Sequence, residues 1–301
     1  MIDKAWLYNQ NQGMLTASIV IYNTERRLIE NLLRCTIDSG CTEKIYVIDN
    51  SPTAFNQGDG NPYAFIMNMT SETTAIEYIP HENTGYGSSH NIAIKKAFDD
   101  GSTYHVVLNP DIRFEKNVLP ALVSYMEKNQ DTVYMLPKTT YPDGRLQYLC
   151  KLLPTPFNLI FRRFLPKNPL TRKLDDQYTL KNFGYDRILN APCLSGCFMF
   201  MRTSALKDNG ILFDEKYFMY CEDFDLIRRL HRIGKTIFYP DVTIIHDHAK
   251  ESYRNRKMLK IHIQSALRYF NKFGWFIDRE RHQWNKEVLK EIESCKNDSS
   301  R

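Results

Sequence analysis

A chain of 301 residues is long enough to bury a full hydrophobic core, as one large α/β domain or as a domain with an appendage. A hydrophobic content of 43% and a charged content of 25% are typical of soluble globular proteins. The net charge of +5 is mild, so the composition does not indicate a nucleic-acid-binding protein.

The cysteines and the N-terminus bear on the compartment. Cys193 and Cys197 lie close together, but no second pair completes a zinc-binding pattern, so we expect reduced thiols in a cytoplasmic protein. Residues 1–6 lack the charged and apolar regions of a signal peptide. No window holds the roughly 18 consecutive apolar residues of a membrane-spanning helix. The sequence therefore predicts a soluble or peripheral protein.

The first part of the chain reads as strand, helix, strand. Residues 15–22 predict a strand, and residues 45–48 predict a second one that ends in Asp49. Between them, apolar residues at helical spacing predict a helix that stops at Gly40. This unit resembles half of a nucleotide-binding fold without the G-x-G-x-x-G phosphate turn. An acid at the position of Asp49 can accept hydrogen bonds from a base or a ribose.

A polar loop over residues 53–74 and a strand over residues 75–79 come next. The glycines that follow allow tight turning, and we expect Ser88 or Ser89 to cap the next helix. The start of that helix is either an ordinary helix-start turn or an anion site that uses its free N–H groups.

The apolar run 106–108 predicts a strand that is buried on both faces and ends at Asn109-Pro110-Asp111. Asp111 then lies at the carboxyl end of a central strand, where open α/β sheets bind ligands. A carboxylate there suits Mg²⁺ and, through it, a diphosphate. The alternative is an aspartate that only caps the next turn.

A helix over residues 119–126, a strand over 133–136 and a hairpin turn at 141–144 follow. Residues 151–173 then interleave basic and apolar side chains and contain no acid before Asp175. This segment is either a solvated basic stretch over the core or a surface for anionic lipid or a lipid-linked phosphate.

Residues 193–201 predict a second buried strand, with Ser195-Gly196 at its start. A helical pattern begins at Asp223, and Glu222 and Asp225 lie beside it. Acids in a first turn are explained by the helix dipole, but three acids next to an aromatic cluster are more than a cap needs.

A last strand over residues 242–245 ends at His246, and His248 follows. A histidine at this place is either a metal ligand or a side chain held by hydrogen bonds. The tail is predicted to be a basic helix with an apolar stripe of Met258, Leu259, Ile263, Leu267, Phe270 and Phe273.

Taken in order, these motifs resemble those of family 2 glycosyltransferases, in particular the rhamnosyltransferase-like branch that builds O-antigens and other bacterial surface polysaccharides. The resemblance covers roughly residues 15–255. It is carried by Tyr22-Asn23, Asp49-Asn50-Ser51, Asn83-x-Gly85 with His90-Asn91, Leu108-Asn109-Pro110-Asp111, Ser195-Gly196, Phe213-Asp214-Glu215 with Tyr220-x-Glu222-Asp223-x-Asp225, and His246 with Ser252.

The resemblance implies a GT-A fold, an α/β domain with a central mixed, mostly parallel sheet flanked by helices. We expect this domain to span residues 1–250, with a nucleotide-sugar half at about 15–115 and an acceptor half at about 116–250. Residues 251–301 would form a basic amphipathic helical extension.

The resemblance also implies roles for individual residues. Asp223 matches the catalytic base, and Asp111 and His246 match the ligands of Mg²⁺ or Mn²⁺, with His248 a less favoured ligand. Only the last acid of the family's Asp-x-Asp motif is present. Glu222 and Asp225 would orient the base. The remaining predicted residues would bind the nucleotide sugar: Tyr22, Asp49, Asn83, His90, Asn91, Asn109 and Ser195.

The expected function is an inverting, metal-dependent transfer of L-rhamnose from dTDP-L-rhamnose to a lipid-linked oligosaccharide. Alternatives are another donor, such as UDP-galactofuranose, UDP-galactose or UDP-glucose, or an inactive nucleotide-sugar-binding subunit. We expect a peripheral protein at the cytoplasmic face of a bacterial membrane, held there by residues 151–173 and the C-terminal helix. No nucleic-acid partner is expected.

Overall fold

A computed structural model describes residues 14–54, 61–160, 168–247 and 256–298. In these residues one mixed nine-stranded sheet has the order β3-β2-β1-β4-β8-β6-β9-β5, and β7 pairs with β9. The strands are β1 Leu15–Ile21, β2 Thr42–Asp49, β3 Ala75–Pro80, β4 Tyr104–Leu108, β5 Ile112–Phe114, β6 Thr132–Thr140, β7 Leu189–Asn190, β8 Phe198–Arg202 and β9 Lys235–His246.

Helices cover the sheet, which confirms the predicted α/β class. They are α1 Arg26–Asp38, α2 Tyr86–Asp99, α3 Val118–Lys128, α4 Pro156–Leu159, α5 Pro169–Tyr178, α6 Thr203–Asp208, α7 Glu222–His231, α8 Arg256–Phe273 and α9 Arg279–Asp298. Short 3-10 helices lie at Ala64–Asn68 and Lys181–Phe183. None of the helices in the described ranges is both long and apolar enough to cross a membrane.

The parallel half of the sheet agrees closely with the strands predicted from the sequence. β1 lies between β2 and β4 and runs parallel to both, and all five residues of β4 are buried. The carboxyl ends of these strands therefore meet at one edge. The predicted serine cap of α2 is wrong, because the helix begins earlier, at Tyr86, with Gly85 as its N-cap.

Gly85 is needed at that position for two reasons. Its φ of +114° is one that L side chains rarely adopt. A Cβ there would also lie 2.5 Å from the carbonyl oxygen of Phe218. The start of α2 is thus packed directly against the chain that precedes α7.

The antiparallel half departs more from prediction. β9 begins seven residues before the predicted start at Val242, and its pairing with β6 changes register where Pro137 is followed by Lys138. Pro240 lies in the corresponding irregular part of β9, which is why the sequence pattern suggested a shorter strand. The predicted strand 193–201 is reduced to β8, so Ser195-Gly196 lies in the turn before it.

The C-terminal helices pack against the sheet domain. Val288 and Ile292 of α9 join the main hydrophobic core. Tyr269 and Phe270 of α8 form a second core with Tyr217. The predicted boundary between domain and extension falls in residues 248–255, outside the described residues, as does His248.

The predicted apolar stripe of α8 is partly wrong. Leu267 is 39% exposed, while Ser265, Ala266 and Tyr269 are buried beside Phe270. Small residues can occupy a closely packed helix face, and a stripe chosen by large apolar side chains misses them. Part of the positive charge of the helix is neutralised within the protein, because Lys272 pairs with buried Asp225 at 2.6 Å.

Candidate active site

Four of the predicted polar residues lie along the carboxyl edge of the sheet. Asp49 ends β2, and Asp111 follows β4. His246 ends β9. Asp223 lies in the first turn of α7, facing Gly196 in the turn before β8. The two halves of the chain therefore meet at this edge.

Strand pairing brings Asp111 to His246. Ile112 of β5 is the antiparallel partner of His246, so the preceding residue lies beside the end of β9. The backbone N–H of Asp247 donates to the carbonyl of Asp111 at 3.0 Å. As a result, Asp111 Oδ1 lies 3.4 Å from His246 Nε2.

Gln147, which the sequence analysis missed, orients His246. Its amide Nε2 donates to the His246 carbonyl at 2.7 Å, and its Oε1 lies 3.0 Å from the imidazole Nδ1. Because the amide orientation is fixed in this way, Nδ1 must carry the proton that Oε1 accepts. In the neutral imidazole, Nε2 is then an acceptor that faces a carboxylate.

The pKa of His246 reflects this setting. Burial lowers the pKa of His246, but the interactions of its imidazole with the Cys197 sulfur and the Asp111 carboxylate outweigh this and raise the pKa to about 10. A positive charge between Nε2 and Oδ1, whether a proton or a cation, is therefore favoured.

The donor set fits a divalent cation. A carboxylate oxygen and an imidazole nitrogen suit Mn²⁺, and a carboxylate suits Mg²⁺, which usually takes one or two side chains together with substrate phosphates. Gln147 would serve as the hydrogen-bond partner that a metal-binding histidine commonly has at its other nitrogen. The part of the chain that the structure describes contains no group of three or more His, Cys, Asp or Glu that could hold a metal.

Asp223 is held by two backbone donors. Gly196 N donates to Oδ2 at 3.0 Å, and Phe224 N donates to Oδ1 at 2.9 Å. A Cβ at Gly196 would lie 2.7 Å from the Asp223 Cβ, so glycine permits the approach. Burial raises the pKa of Asp223, which makes its carboxylate a better proton acceptor than an exposed aspartate.

Lys151 lies near Asp223, although it was predicted to belong to a different surface. It was assigned to the basic membrane-facing segment, but its backbone pairs with Cys193 and its ammonium lies 5.4 Å from the centre of the Phe224 ring. Its charge opposes the upward shift in the pKa of Asp223. Residues 161–167 of the same segment lie outside the described residues.

Glu222 is a buried acid beside Asp223. Burial, together with the charge of Asp223, raises the pKa of Glu222 well above its usual range, which favours its protonated form. Its Oε2 has no hydrogen-bond partner among the described residues. In its protonated form, Glu222 adds no second negative charge beside Asp223.

The chain before these acids is strained and firmly held. Tyr220 and Cys221 have φ values of 70° and 64°, which side chains other than glycine rarely adopt. Tyr86 N donates to the Phe218 carbonyl at 2.9 Å. Ser265 of α8 donates to the Met219 carbonyl at 2.7 Å. The C-terminal helix thus helps to position α7.

Asp225 holds the other side of α7. It is fully buried and accepts from Lys272 at 2.6 Å and from Arg229 at 2.6 Å. It therefore links α7 to α8 through Lys272, and its role in orienting the base stays a prediction.

The Tyr86 hydroxyl joins the two halves of the site, and the sequence analysis missed it. It lies 2.8 Å from Asn109 Oδ1 and 3.0 Å from the Gly196 carbonyl, both of which accept hydrogen bonds. Asn109 precedes Asp111 by two positions, and Gly196 contacts Asp223. The carbonyl of Ser195, the residue before Gly196, accepts a hydrogen bond from the Tyr134 hydroxyl at 2.8 Å.

At the other end of the edge, Asp49 is fully buried. Its Oδ1 accepts from Ser51 N at 2.8 Å and its Oδ2 from the Tyr78 hydroxyl at 2.5 Å. Tyr22 is 52% exposed nearby, where Asn50 N donates to the Ile21 carbonyl. Binding of a nucleobase by Asp49 and Tyr22 stays a prediction.

His90 and Asn91 lie elsewhere than in the predicted pocket lining. His90 is fully buried, pairs with Ser18 through Nδ1 at 2.8 Å, and has a pKa held well below its usual value by burial. Asn91 is 1% exposed and exchanges hydrogen bonds with the Phe213 backbone at 2.9 Å. Both brace the core behind the site, while Asn83 is exposed.

The chain matches known proteins in sequence. The pattern of the family described as Glycosyl transferase family 2 matches residues 16–210. An N-acetylglucosaminyl-diphospho-decaprenol L-rhamnosyltransferase of Mycobacterium tuberculosis is 26% identical over 228 residues, covering 70% of this chain and 68% of that protein. The rhamnosyltransferase WbbL of Escherichia coli is 27% identical over 223 residues, covering 70% of this chain and 79% of WbbL.

Two solved structures share the fold. A mannosyltransferase from Pyrobaculum calidifontis, PcManGT, in complex with GDP-Man and Mn²⁺, has a TM-score of 0.55 and 16% identity, covering 97% of this chain and 78% of that one. S. aureus TarS has a TM-score of 0.54 and 16% identity over 93% of this chain. The chain spans only 42% of the TarS structure. These likenesses confirm the GT-A fold.

Proposed function

Since the chain belongs to glycosyl transferase family 2 and is a glycosyltransferase, we propose that it transfers the sugar of a nucleoside-diphosphate donor with inversion at the anomeric carbon. Asp223 would be the base, and Asp111 and His246 would hold a metal. The observation that carries the proposal is the placement of these groups at one sheet edge. There the Tyr86 hydroxyl donates to Asn109, two residues before Asp111, and to the carbonyl of Gly196, whose N–H binds Asp223.

Asp223 would remove the proton of the acceptor hydroxyl as that oxygen attacks the anomeric carbon. One carboxylate is enough for inversion by direct displacement, whereas paired flanking carboxylates characterise glycoside hydrolases. The pKa of Asp223 is raised by burial, and that of Glu222 by burial and the charge of Asp223, which supports this division of roles. Gly196 would keep the carboxylate in position through its N–H.

Asp111 and His246 would hold Mg²⁺ or Mn²⁺, with Gln147 fixing the imidazole so that Nε2 faces the ion. When bound, the ion would neutralise the charge that develops on the leaving diphosphate. The Mn²⁺ of PcManGT, a structure of the same fold, supports a divalent cation here.

The names of the relatives favour transfer of rhamnose, for which we propose dTDP-L-rhamnose as donor. The name of the Mycobacterium tuberculosis relative favours a lipid-diphosphate-linked N-acetylglucosaminyl acceptor. UDP-galactofuranose, UDP-galactose and UDP-glucose are the alternative donors. A catalytically inactive binding subunit is disfavoured, because the chain retains Asp111, Asp223 and His246 together. An acceptor of this kind would place the protein at the cytoplasmic face of a bacterial membrane.

A thermal-shift screen of dTDP, UDP and GDP, each with and without Mn²⁺, tests the proposal. A ligand that binds only the folded protein raises Tm by mass action, and we expect dTDP or UDP to do so only with the metal. Asp111→Ala should abolish the shift. Gln147→Leu should require about 10- to 100-fold more Mn²⁺, because the imidazole loses its orienting partner.

Asp131→Ala is the control variant, since Asp131 is an exposed acid that pairs with Lys235 at the start of β9, at the opposite edge of the sheet. It should keep the metal dependence of the wild type. The absence of a shift with every nucleotide would contradict the proposal. A shift that is equal with and without Mn²⁺ would contradict the metal's part in it.

A further inference from the structure

The turn between α8 and α9 presents two large apolar side chains to solvent. Phe276 is 86% exposed and Ile277 is 87% exposed. They are the two most exposed large hydrophobic side chains in the described part of the chain. Single exposed apolar residues are common, but two adjacent ones at this level of exposure are unusual and point to a partner.

This exposure is fixed by the fold. Arg281, 7% exposed, donates to the carbonyls of Gly274, Trp275 and Phe276 at 3.1–3.3 Å. Gly274 has a φ of +107°, and a Cβ there would lie 2.4 Å from the Ile277 carbonyl oxygen. A buried arginine and a required glycine thus hold the two apolar side chains outward.

Both ends of the turn are anchored as well. The Trp275 indole donates to Asn271 Oδ1 at 2.8 Å and its ring packs on Phe270. At the other end, Asp278 is 8% exposed and binds Arg228 at 2.6 Å. The turn therefore cannot bury Phe276 and Ile277 by a small local movement without breaking these contacts.

The surface beside the turn is basic. Asn271 also lines a cleft of about 450 Å³ between α8 and the chain around Phe218, and Lys216 and Arg268 lie in its walls. Arg279, directly after the turn, is exposed. The cleft and the turn are thus continuous through Asn271, with cations on both sides.

The acids of this region are neutralised by internal pairs. Asp278 pairs with Arg228, and Glu280 pairs with Arg228 and Arg232. Asp214 pairs with Lys272 at 2.8 Å. The charge that this face presents to a partner is consequently positive.

We infer that the turn 274–278 inserts Phe276 and Ile277 into an anionic lipid bilayer, with Lys216, Arg268 and Arg279 contacting the lipid phosphates. Two apolar side chains are far too little for a protein interface, which buries about 1,200–2,000 Å². A short apolar tip with a cationic surround is the combination that binds anionic membrane surfaces.

The role of this membrane insertion rests on the proposed function, transfer of a sugar to a lipid-linked acceptor. Phe218, in the wall of the cleft, precedes Glu222 by four positions, so the docked face adjoins the chain that carries Asp223. A bilayer on this face would bring a lipid-linked acceptor towards the base. The insertion itself involves no sugar chemistry and is measured separately.

Vesicle co-sedimentation of the full chain tests the insertion. We expect binding to vesicles of phosphatidylglycerol and phosphatidylcholine that is weakened at least about tenfold in the double variant Phe276→Ser/Ile277→Ser. Met67→Ser, which removes a 51% exposed apolar side chain far along the chain, should bind like the wild type. Arg268→Glu should weaken binding to these vesicles but not to phosphatidylcholine alone.

A second readout measures how deeply the turn enters the bilayer. The fluorescence of the tryptophan in Phe276→Trp should be quenched by lipids brominated in their acyl chains. Failure of the wild type to bind anionic vesicles, or equal binding by the double variant, would overturn the inference. So would a lipid-free dimer that the double variant loses, since the turn would then contact a second copy. Donor hydrolysis in solution should be unchanged in the double variant, and its absence in the wild type would count against the proposed function alone.

Discussion

Asp223→Asn is expected to lower kcat for sugar transfer by about two to four orders of magnitude. The amide preserves the size of the side chain but cannot accept the proton of the acceptor hydroxyl. Its oxygen can still accept from Gly196 N or Phe224 N, so the fold should remain intact. Initial rates at saturating donor, together with an unchanged Tm, would measure the effect.

Glu222→Gln is the matched control for this variant. Because burial and the charge of Asp223 raise the pKa of Glu222, a neutral amide resembles the protonated form that this setting favours. We expect it to keep kcat within about tenfold of the wild type, well short of the loss at Asp223. Equal losses in the two variants, or a fully active Asp223→Asn, would show that Asp223 is not the base.

The second large effect concerns stability. Asp278→Ala is expected to lower the free energy of unfolding by about 3 kcal/mol or more, because it leaves the charge of buried Arg228 without its main partner. Arg228 is 1% exposed and Asp278 accepts from it at 2.6 Å and 2.8 Å. Glu280 still contacts Arg228, which sets the loss at the lower end of the range for buried pairs.

Urea denaturation followed by circular dichroism measures this change. Glu30→Ala removes a pair in which Arg26 is 64% exposed, and it should cost less than about 1 kcal/mol. If Asp278→Ala were as stable as Glu30→Ala, the C-terminal helices would not be part of the cooperative core.

The elements that the sequence predicted best are those whose pattern is local. The apolar run of β4 predicted a strand buried on both faces, and the structure has one. β9 was predicted too short because its irregular pairing around Pro240 depends on β6, a distant partner. The stripe of α8 failed for a similar reason, since Ser265 and Ala266 are buried by contact with a segment far away in the chain.

The site divides in the same way. Asp111 was singled out because it follows a buried apolar strand, and the family resemblance gave Asp111 and Asp223 their predicted roles. Gln147 and Tyr86 were missed because each acts through hydrogen bonds to residues distant in the sequence, which no local pattern encodes. His90 and Asn91 lie in a motif of the family, yet their side chains turn inward, which only the packing of α2 reveals.

The anomeric configuration of the product tests the central claim most directly. Wild-type protein would be given dTDP-L-rhamnose, Mn²⁺ and the lipid-diphosphate-linked N-acetylglucosaminyl acceptor, and the new linkage examined by NMR. Direct displacement with Asp223 as the single base predicts transfer with the configuration opposite to that in the donor. A retained configuration would contradict it, as would no transfer from this donor or from UDP-galactofuranose, UDP-galactose or UDP-glucose.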